Sequence, residues 1–247
     1  MRAKIIDEQL KVYQSAFIQH GDSPKGTHQN NRETQYLRFQ MLTDHLLNNH
    51  TDNTIEDVGC GICDLYGYLK SKNIKFTYSG TEIVDEMIAL AKEKYPEITV
   101  KNRDILSEVG QKKNDFVVLS GTLNIPGNVE PEEWRRFCFS LISSMYGMCN
   151  KAIAFNFLTS HKTFTDPNLF YFDPSELLDY CIKNLSRFVE LKHSYPLYEG
   201  TITVYRENYI QDQYKNPALA KYFRAPHRKS VNSSSLGDGN AVASGQV

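Results

Sequence analysis

The chain has 247 residues, of which 40% are hydrophobic and 12% aromatic, with a formal net charge of −1. That composition suits one large α/β domain with a buried core, and the lack of a basic stripe argues against long nucleic acid as a partner. No apolar run reaches membrane-spanning length, and charges interrupt the first seven residues where a secretory signal would be apolar, so we expect a cytoplasmic protein with no membrane partner.

Two helices are predicted ahead of the first strand. In the first, Ile6, Leu10, Tyr13 and Phe17 recur at helical spacing. The Gly- and Pro-containing stretch 20–26 ends this helix, and a second helix is predicted over 32–47. We expect residues 1–50 to form a helical extension that lies as a lid over the remaining chain.

Strands and helices then alternate, which predicts βαβ units and a parallel sheet. A further helix is predicted to begin at Asp173, because an aspartate N-cap, Pro174 and Glu176 form a coherent start signal. Segments 188–192 and 201–206 predict a closing antiparallel pair. The Ser-, Gly- and Asn-rich stretch 229–247 predicts a disordered tail, which leaves 51–228 as the main domain. The other strands are predicted over 54–58, 76–81, 98–101, 116–119 and 152–158, and the other helices over 65–70, 85–95 and 131–148.

Two strand ends predict a binding pocket. The first strand runs into Asp57 and then a turn with Gly59 and Gly61, and the second strand ends at Glu82. Glycines allow a ligand to approach the backbone closely, because they have no Cβ. A carboxylate at the second strand end is placed to accept hydrogen bonds from two ribose hydroxyls. These features predict a site for an adenosine-containing ligand at the carboxyl edge of the sheet.

One residue bears on which adenosine ligand binds. Dinucleotide-binding folds use G-x-G-x-x-G, and the third glycine of that spacing is Asp64 here. An aspartate would repel the pyrophosphate that a helix N-terminus normally attracts. S-adenosyl-L-methionine (SAM) has no phosphate, and Asp57 suits its sulfonium and ammonium charges. An oxidoreductase that binds a nicotinamide dinucleotide stays as an alternative.

From 55 to 206 the chain resembles the class I SAM-dependent methyltransferases. Residues 57–61 are similar to their first motif, 81–83 to their second, 103–105 to the acidic post that meets the adenine amino group, and 116–121 to their fourth strand. One departure is Cys63, where many members have a third glycine. The resemblance implies an α/β Rossmann-like fold: a mostly parallel seven-stranded sheet with an antiparallel last strand, helices on both faces and an N-terminal helical extension. It implies SAM-binding roles for Asp57, Gly59, Cys60, Gly61, Glu82, Ile83, Asp104, Ile105 and Ser120.

Further candidates come from side-chain chemistry. Arg38 on the second helix can grip the methionine carboxylate with two parallel bonds, if that helix covers the crevice. Asn156 and His161 follow the fifth strand, where substrate groups usually lie, and His161 is a candidate general base. Tyr13, Tyr171, Tyr195 and Tyr198 are candidate aromatic faces for the sulfonium. The structural alternatives are a solvated arginine, an exposed histidine and, for most of the tyrosines, a place in the structure without a functional role.

The acceptor is expected to be a small molecule. Enzymes that methylate amide or nucleobase nitrogens usually carry Asn/Asp-Pro-Pro-aromatic after the fourth strand, and segment 120–126 lacks it. Two other functions stay open: an enzyme that consumes SAM itself and releases methylthioadenosine, and a SAM-binding regulator without chemistry.

The cysteines predict no metal site. The chain has 5 cysteines, an odd number, which favours reduced thiols. Cys60 and Cys63 form a C-x-x-C pair, but no second pair with zinc-ligand spacing exists.

Overall fold

A computed structural model describes residues 2–47, 52–107 and 113–223. Within them, seven strands form one sheet in the order β3-β2-β1-β4-β5-β7-β6. Strand β7 runs antiparallel to both of its neighbours, and the other pairs are parallel. The predicted Rossmann-like sheet with an antiparallel last strand is confirmed. The strands are β1 (Asn53–Val58), β2 (Phe76–Glu82), β3 (Thr99–Asn102), β4 (Asn114–Leu119), β5 (Cys149–Leu158), β6 (Val189–Lys192) and β7 (Glu199–Tyr205).

The helices follow the predicted order, with one addition. The start signal at Asp173 is confirmed, because its carboxylate accepts a hydrogen bond from the Ser175 backbone at 2.8 Å. The last α-helix was not predicted; none of its residues is fully buried, although Tyr209 packs against the core beside Phe116. The predicted tail 229–247 lies outside the described residues. The helices are α1 (Arg2–His20), α2 (Arg32–Leu47), α3 (Asp64–Ser71), α4 (Asp85–Lys94), α5 (Pro131–Met148), α6 (Pro174–Asn184) and α7 (Glu207–Gln213), with 3-10 turns at Pro24–Thr27 and Pro217–Phe223.

Both faces of the sheet are covered by helices. In β4, Phe116 and Val118 pack into a buried cluster with residues of α2 and α3. Val117 and Leu119 point the other way, into a cluster with α5 and α6. This alternation follows from the two-residue period of a strand. A sheet buried on both sides has only its edges and strand ends left for ligand binding.

The carboxyl ends of the three central strands meet at one crevice. Strand β1 pairs in parallel with β2 on one side and with β4 on the other, so that Val58 lies opposite Thr81 and opposite Leu119. This is the point where the strand order reverses direction, and the loops after the two strands diverge there. The fold therefore places the loops after β1, β2 and β4 around one opening.

Candidate functional site

The turn after β1 is built for close backbone approach. Gly59 and Gly61 have φ values of +68° and +54°. A Cβ at Gly59 would lie 2.6 Å from the Thr122 hydroxyl oxygen, so a larger residue does not fit without rearrangement. The backbone N–H groups of Gly59 and Cys60 both donate to the Thr81 carbonyl, at 2.8 and 3.0 Å. The turn is thereby held against the end of β2.

Cys63 has a backbone conformation that favours glycine. Its φ is +61°, in the left-handed region, and its side chain is fully buried. For a residue other than glycine this conformation costs roughly 1–2 kcal/mol. The thiol packs in the same buried cluster as Cys60 and Leu65, which offsets part of that cost.

Glu82, at the end of β2, is buried and bound to the glycine turn. One carboxylate oxygen accepts the Gly61 N–H at 2.8 Å, and the other accepts the Ile83 and Val84 N–H groups at 2.7 and 3.1 Å. Burial raises the pKa of Glu82, while these three hydrogen bonds oppose the rise. Since each carboxylate oxygen accepts about two bonds, the oxygen facing Gly61 keeps capacity for one more donor.

Asp57 is the least satisfied acid of the crevice. One of its oxygens accepts the Tyr78 hydroxyl at 2.6 Å, and among the described residues the other, Oδ1, has no partner. Burial raises the pKa of Asp57 from 3.8 to about 7. The hydrogen bond from Tyr78 opposes this rise, and the negative charges of Glu56 and Glu82 add to it. A cationic ligand beside this buried carboxylate would stabilise its charged form.

The crevice holds two adjoining cavities. The large cavity, of about 290 Å³, lies between the glycine turn, α2 and the ends of β4 and β7. The small cavity, of about 80 Å³, is mainly apolar and lies beyond the end of β2. Four residues line both: Tyr13, Gly59, Glu82 and Thr122. The predicted site residues that line the large cavity are Arg38, Asp57, Gly59, Cys60, Gly61, Glu82 and Ser120, and those that line the small cavity are Gly59, Glu82, Ile83, Asp104 and Ile105.

Helix α1 crosses the crevice and contacts both of its sides. On the β2 side, Gln14 donates to Glu86 at 2.7 Å, and Arg2 pairs with Asp104 at 3.4 Å. On the β4 side, Gln9 donates to the Ile125 carbonyl at 2.9 Å. These contacts hold the helix over the small cavity. Segment 27–30 follows it and lines the large cavity.

Arg38 lies in the large cavity, but its guanidinium is engaged by the protein. It forms a two-pronged pair with Glu199 and also donates to the Gln29 side chain. Asn156 donates to the same Glu199 at 2.9 Å and accepts the Gly121 N–H at 2.8 Å. The pair joins α2 to the start of β7, so the guanidinium fork expected to hold a methionine carboxylate holds Glu199 instead.

The three residues predicted to be catalytic do not line either cavity. Asn156 is fully buried behind Glu199. His161 is exposed, with its ring 6.3 Å from that of His193. The Tyr195 hydroxyl lies 3.0 Å from the Thr201 hydroxyl. The structure thus brings the predicted cofactor residues together and leaves these three outside.

Several residues that line the large cavity were not predicted from the sequence. Gln29 and Asn30 lie in the loop before α2, and Glu199 begins β7. Nothing in the sequence places these segments beside the glycine turn. Thr122 and Asn124 could have been found, because they directly follow the predicted fourth strand, whose end faces the crevice.

The N-terminus of α3 carries its own negative charge. Asp64, the first residue of this helix, is buried and accepts from Gln35 at 3.1 Å. It pairs with Arg32 at 3.2 Å and with Lys94 at 3.5 Å. A pyrophosphate would meet this carboxylate, as the sequence predicted. Among the described residues no cluster of His, Cys, Asp or Glu has the arrangement of a metal site, and no described helix is long and apolar enough to cross a membrane.

Comparison with known proteins decides the family. No protein-family model matches the chain. A Mycobacterium tuberculosis protein named "Putative methyltransferase Rv1506c" is 30% identical over 154 residues, which are 61% of this chain and 92% of that protein. The chain belongs to the class I SAM-dependent methyltransferases. This membership decides against the dinucleotide-binding alternative.

Solved structures share the fold of this methyltransferase. Magnesium protoporphyrin IX methyltransferase from Synechocystis, crystallised with S-adenosylhomocysteine, superposes with a TM-score of 0.57 at 15% identity, covering 83% of this chain and all of that one. The DhpI-SAM-HEP complex gives 0.57 at 14% identity over 82% and 97% of the two chains. At these identities the likeness concerns the fold alone.

Proposed function

We propose that this enzyme transfers the methyl group of SAM to a small-molecule acceptor bound in the large cavity. The observation that carries the proposal is the pair of joined cavities under α1. One is small and apolar, and the other is larger and polar. The buried Glu82 carboxylate lies where they meet.

The small cavity fits an adenine ring. Ile83, Ile105 and Phe137 supply apolar walls, and Asp104 supplies a polar edge. At the junction, the spare acceptor capacity of Glu82 suits a ribose hydroxyl. The glycine turn allows the ligand to lie against the backbone, because a side chain at Gly59 would collide with Thr122.

The large cavity fits the methionine half of SAM. The unpartnered Oδ1 of Asp57 suits an ammonium group, and a cation beside it would offset the unfavourable burial that raises its pKa. Tyr13 lines both cavities, so we assign to it, in preference to Tyr195, the aromatic face near the sulfonium. Burial and then the Glu82 charge raise the pKa of Tyr13, which keeps its hydroxyl protonated.

The acceptor then occupies the remainder of the large cavity. Asn30, Asn124, Asp166 and Leu169 line that part, on loops from three regions of the chain. Bound SAM supplies an activated methyl group, so the protein's task is to align the acceptor and exclude water. The cavity volume of about 290 Å³, shared with the methionine half, favours a small metabolite over a protein or nucleic acid.

Asn156 has an indirect role in this proposal. It lies between Glu199 and the Gly121 backbone, and so orients the wall of the acceptor site. His161 is assigned no role in catalysis. The 5 cysteines are free thiols, which suits a reducing cytoplasm.

The products formed from SAM test the proposal. The protein is incubated with SAM alone and then with pools of small metabolites, and products are measured by mass spectrometry. S-adenosylhomocysteine that appears only with an acceptor supports methyl transfer. Methylthioadenosine formed without any acceptor, above spontaneous SAM decay, contradicts it and favours the SAM-consuming alternative. Tight binding of SAM with neither product points to a regulator.

A further inference from the structure

A buried amide on α1 has an acceptor without a partner. Gln9 is only 3% exposed and lines the small cavity. Among the described residues its carbonyl oxygen, Oε1, accepts no hydrogen bond. A buried acceptor left unpaired is destabilising, so its retention next to a cavity points to a donor that arrives with a ligand.

The orientation of this amide is set by its other end. The Gln9 nitrogen donates to the Ile125 carbonyl at 2.9 Å. A flipped amide would place two oxygens against each other, so the acceptor must be the free end. The side chain therefore keeps its carbonyl oxygen as a free acceptor beside the small cavity, while one of its two N–H groups is held by the Ile125 carbonyl.

The acid in the same cavity already has partners. Asp104 accepts the Leu106 N–H at 2.9 Å and pairs with Arg2 at 3.4 Å. By contrast, the Gln9 oxygen accepts from no group in the described part of the chain. The Thr81 hydroxyl also lines this cavity without a partner among the described residues, but a hydroxyl both donates and accepts and so does not distinguish an amino from an oxo group.

We infer that Gln9 accepts a hydrogen bond from the exocyclic amino group of the adenine, and that α1 thereby takes part in selecting the base. This inference rests on the proposed function. A 6-amino base supplies the donor that Gln9 lacks, whereas a 6-oxo base presents an oxygen to an oxygen. The same amide also donates to the carbonyl of Ile125, which lines the large cavity. The Gln9 side chain therefore connects the site proposed for the base with the site proposed for the acceptor.

Calorimetric titration of the full-length protein tests the inference without turnover. The probes are S-adenosylhomocysteine and its deaminated analogue S-inosylhomocysteine, which has a 6-oxo base. Wild-type protein should prefer the adenine ligand. In Gln9→Met, affinity for S-adenosylhomocysteine should fall by roughly tenfold, through the loss of one hydrogen bond, while affinity for the inosine ligand changes much less.

The ratio of the two affinities separates recognition from a structural effect. If the role of Gln9 were purely structural, Gln9→Met would lower the affinity for both ligands equally. An unchanged ratio of the two affinities in this variant would therefore overturn the inference. Gln14→Met is the matched control, because Gln14 lies on α1 like Gln9 but donates to Glu86 of α4, and the ratio of the two affinities in this variant should equal that of wild type. Gln9→Leu replaces the methionine variant if thermal unfolding shows the latter to be misfolded. Failure of wild-type protein to bind S-adenosylhomocysteine would instead contradict the proposed function.

Discussion

The two cavities of the crevice are built in different ways. The apolar walls of the small cavity, such as Ile83 and Ile105, follow strand ends in short loops. The large cavity depends on Arg38 and Glu199, which are 161 residues apart and meet as a buried ion pair. The walls of the small cavity that follow β2 and β3 are thus placed by local chain geometry, and the wall of the large cavity between α2 and β7 by long-range charge pairing.

This difference predicts different sensitivities. Apolar walls tolerate changes of pH, because nothing in them titrates. Buried charges depend on partners, and removal of one partner leaves the other in an environment that disfavours it. We therefore expect the strongest effects of mutation on the large-cavity side.

Arg38→Met should give the largest effect. Among the described residues it leaves Glu199 buried with only Asn156 still donating to it, and the free energy of unfolding should fall by about 3–5 kcal/mol. Urea denaturation measures the loss. The control is Lys183→Met, whose amine is 2.8 Å from Asp179 at a surface where the side chain is 69% exposed, and it should cost less than about 1 kcal/mol. Equal losses in both variants would show that the buried ion pair contributes no more to the free energy of unfolding than the exposed pair does.

Asp57→Asn should make the ligand-free protein more stable at neutral and alkaline pH. The pKa of Asp57 in the folded chain, about 7, is above its ordinary value of 3.8. Its ionisation therefore opposes folding above pH 7, and this cost disappears as the pH falls from 7 towards 3.8. Asparagine removes the cost, with a gain at pH 8 of at most about 4 kcal/mol that vanishes near pH 4.

Two measurements check this behaviour. Denaturation curves should show the variant and the wild-type protein to be about equally stable near pH 4, and the variant to be more stable than wild type near pH 8. Titration with SAM at pH 8 should show weaker binding by the variant, because the ammonium loses a carboxylate. A variant that is less stable at pH 8 and binds SAM normally would contradict both the assignment and its sign.

Glu82→Gln should act mainly on binding. The amide nitrogen of the glutamine must face a backbone N–H donor, and the side chain has fewer oxygen lone pairs left to accept a hydrogen bond from a ribose hydroxyl. We expect S-adenosylhomocysteine affinity to fall by about 1–2 kcal/mol in calorimetry. Glu97→Gln, at an exposed carboxylate that binds Lys70 and Tyr66, provides the control and should leave affinity unchanged. Unchanged affinity in Glu82→Gln would remove Glu82 from the site.

The smallest effect concerns Cys63. Because its φ is +61°, Cys63→Gly should be more stable than Cys63→Ala, by about 1 kcal/mol. At Cys181, inside α6, the order should reverse, since glycine costs about 1 kcal/mol relative to alanine in a helix. Thermal unfolding of the four variants tests this. The same order at both positions would mean that backbone conformation does not control the difference.

The sequence by itself determined the sheet and the part of the crevice that the glycine turn, Asp57 and Glu82 form. Apolar strand runs, the alternation with helices and the glycine turn are local signals, and parallel connectivity forces the strand ends to one edge. The order of these signals along the chain is therefore enough to place Asp57 and Glu82 beside each other. The glycine position occupied by Cys63 is also visible in the sequence, although its left-handed backbone is not.

Only the tertiary structure decided what the charged side chains contact. Arg38 and Glu199 are separated by most of the sheet in sequence, and a guanidinium has no local pattern that names its partner. His161 and Asn156 lie near the same strand end, yet one is exposed and the other fully buried, because strand register and loop path set their surroundings. The free oxygen of Gln9 likewise results from the docking of α1 against Ile125, a contact across 116 residues. Pairing of buried polar groups is a property of packing, and packing brings together residues that the sequence keeps apart.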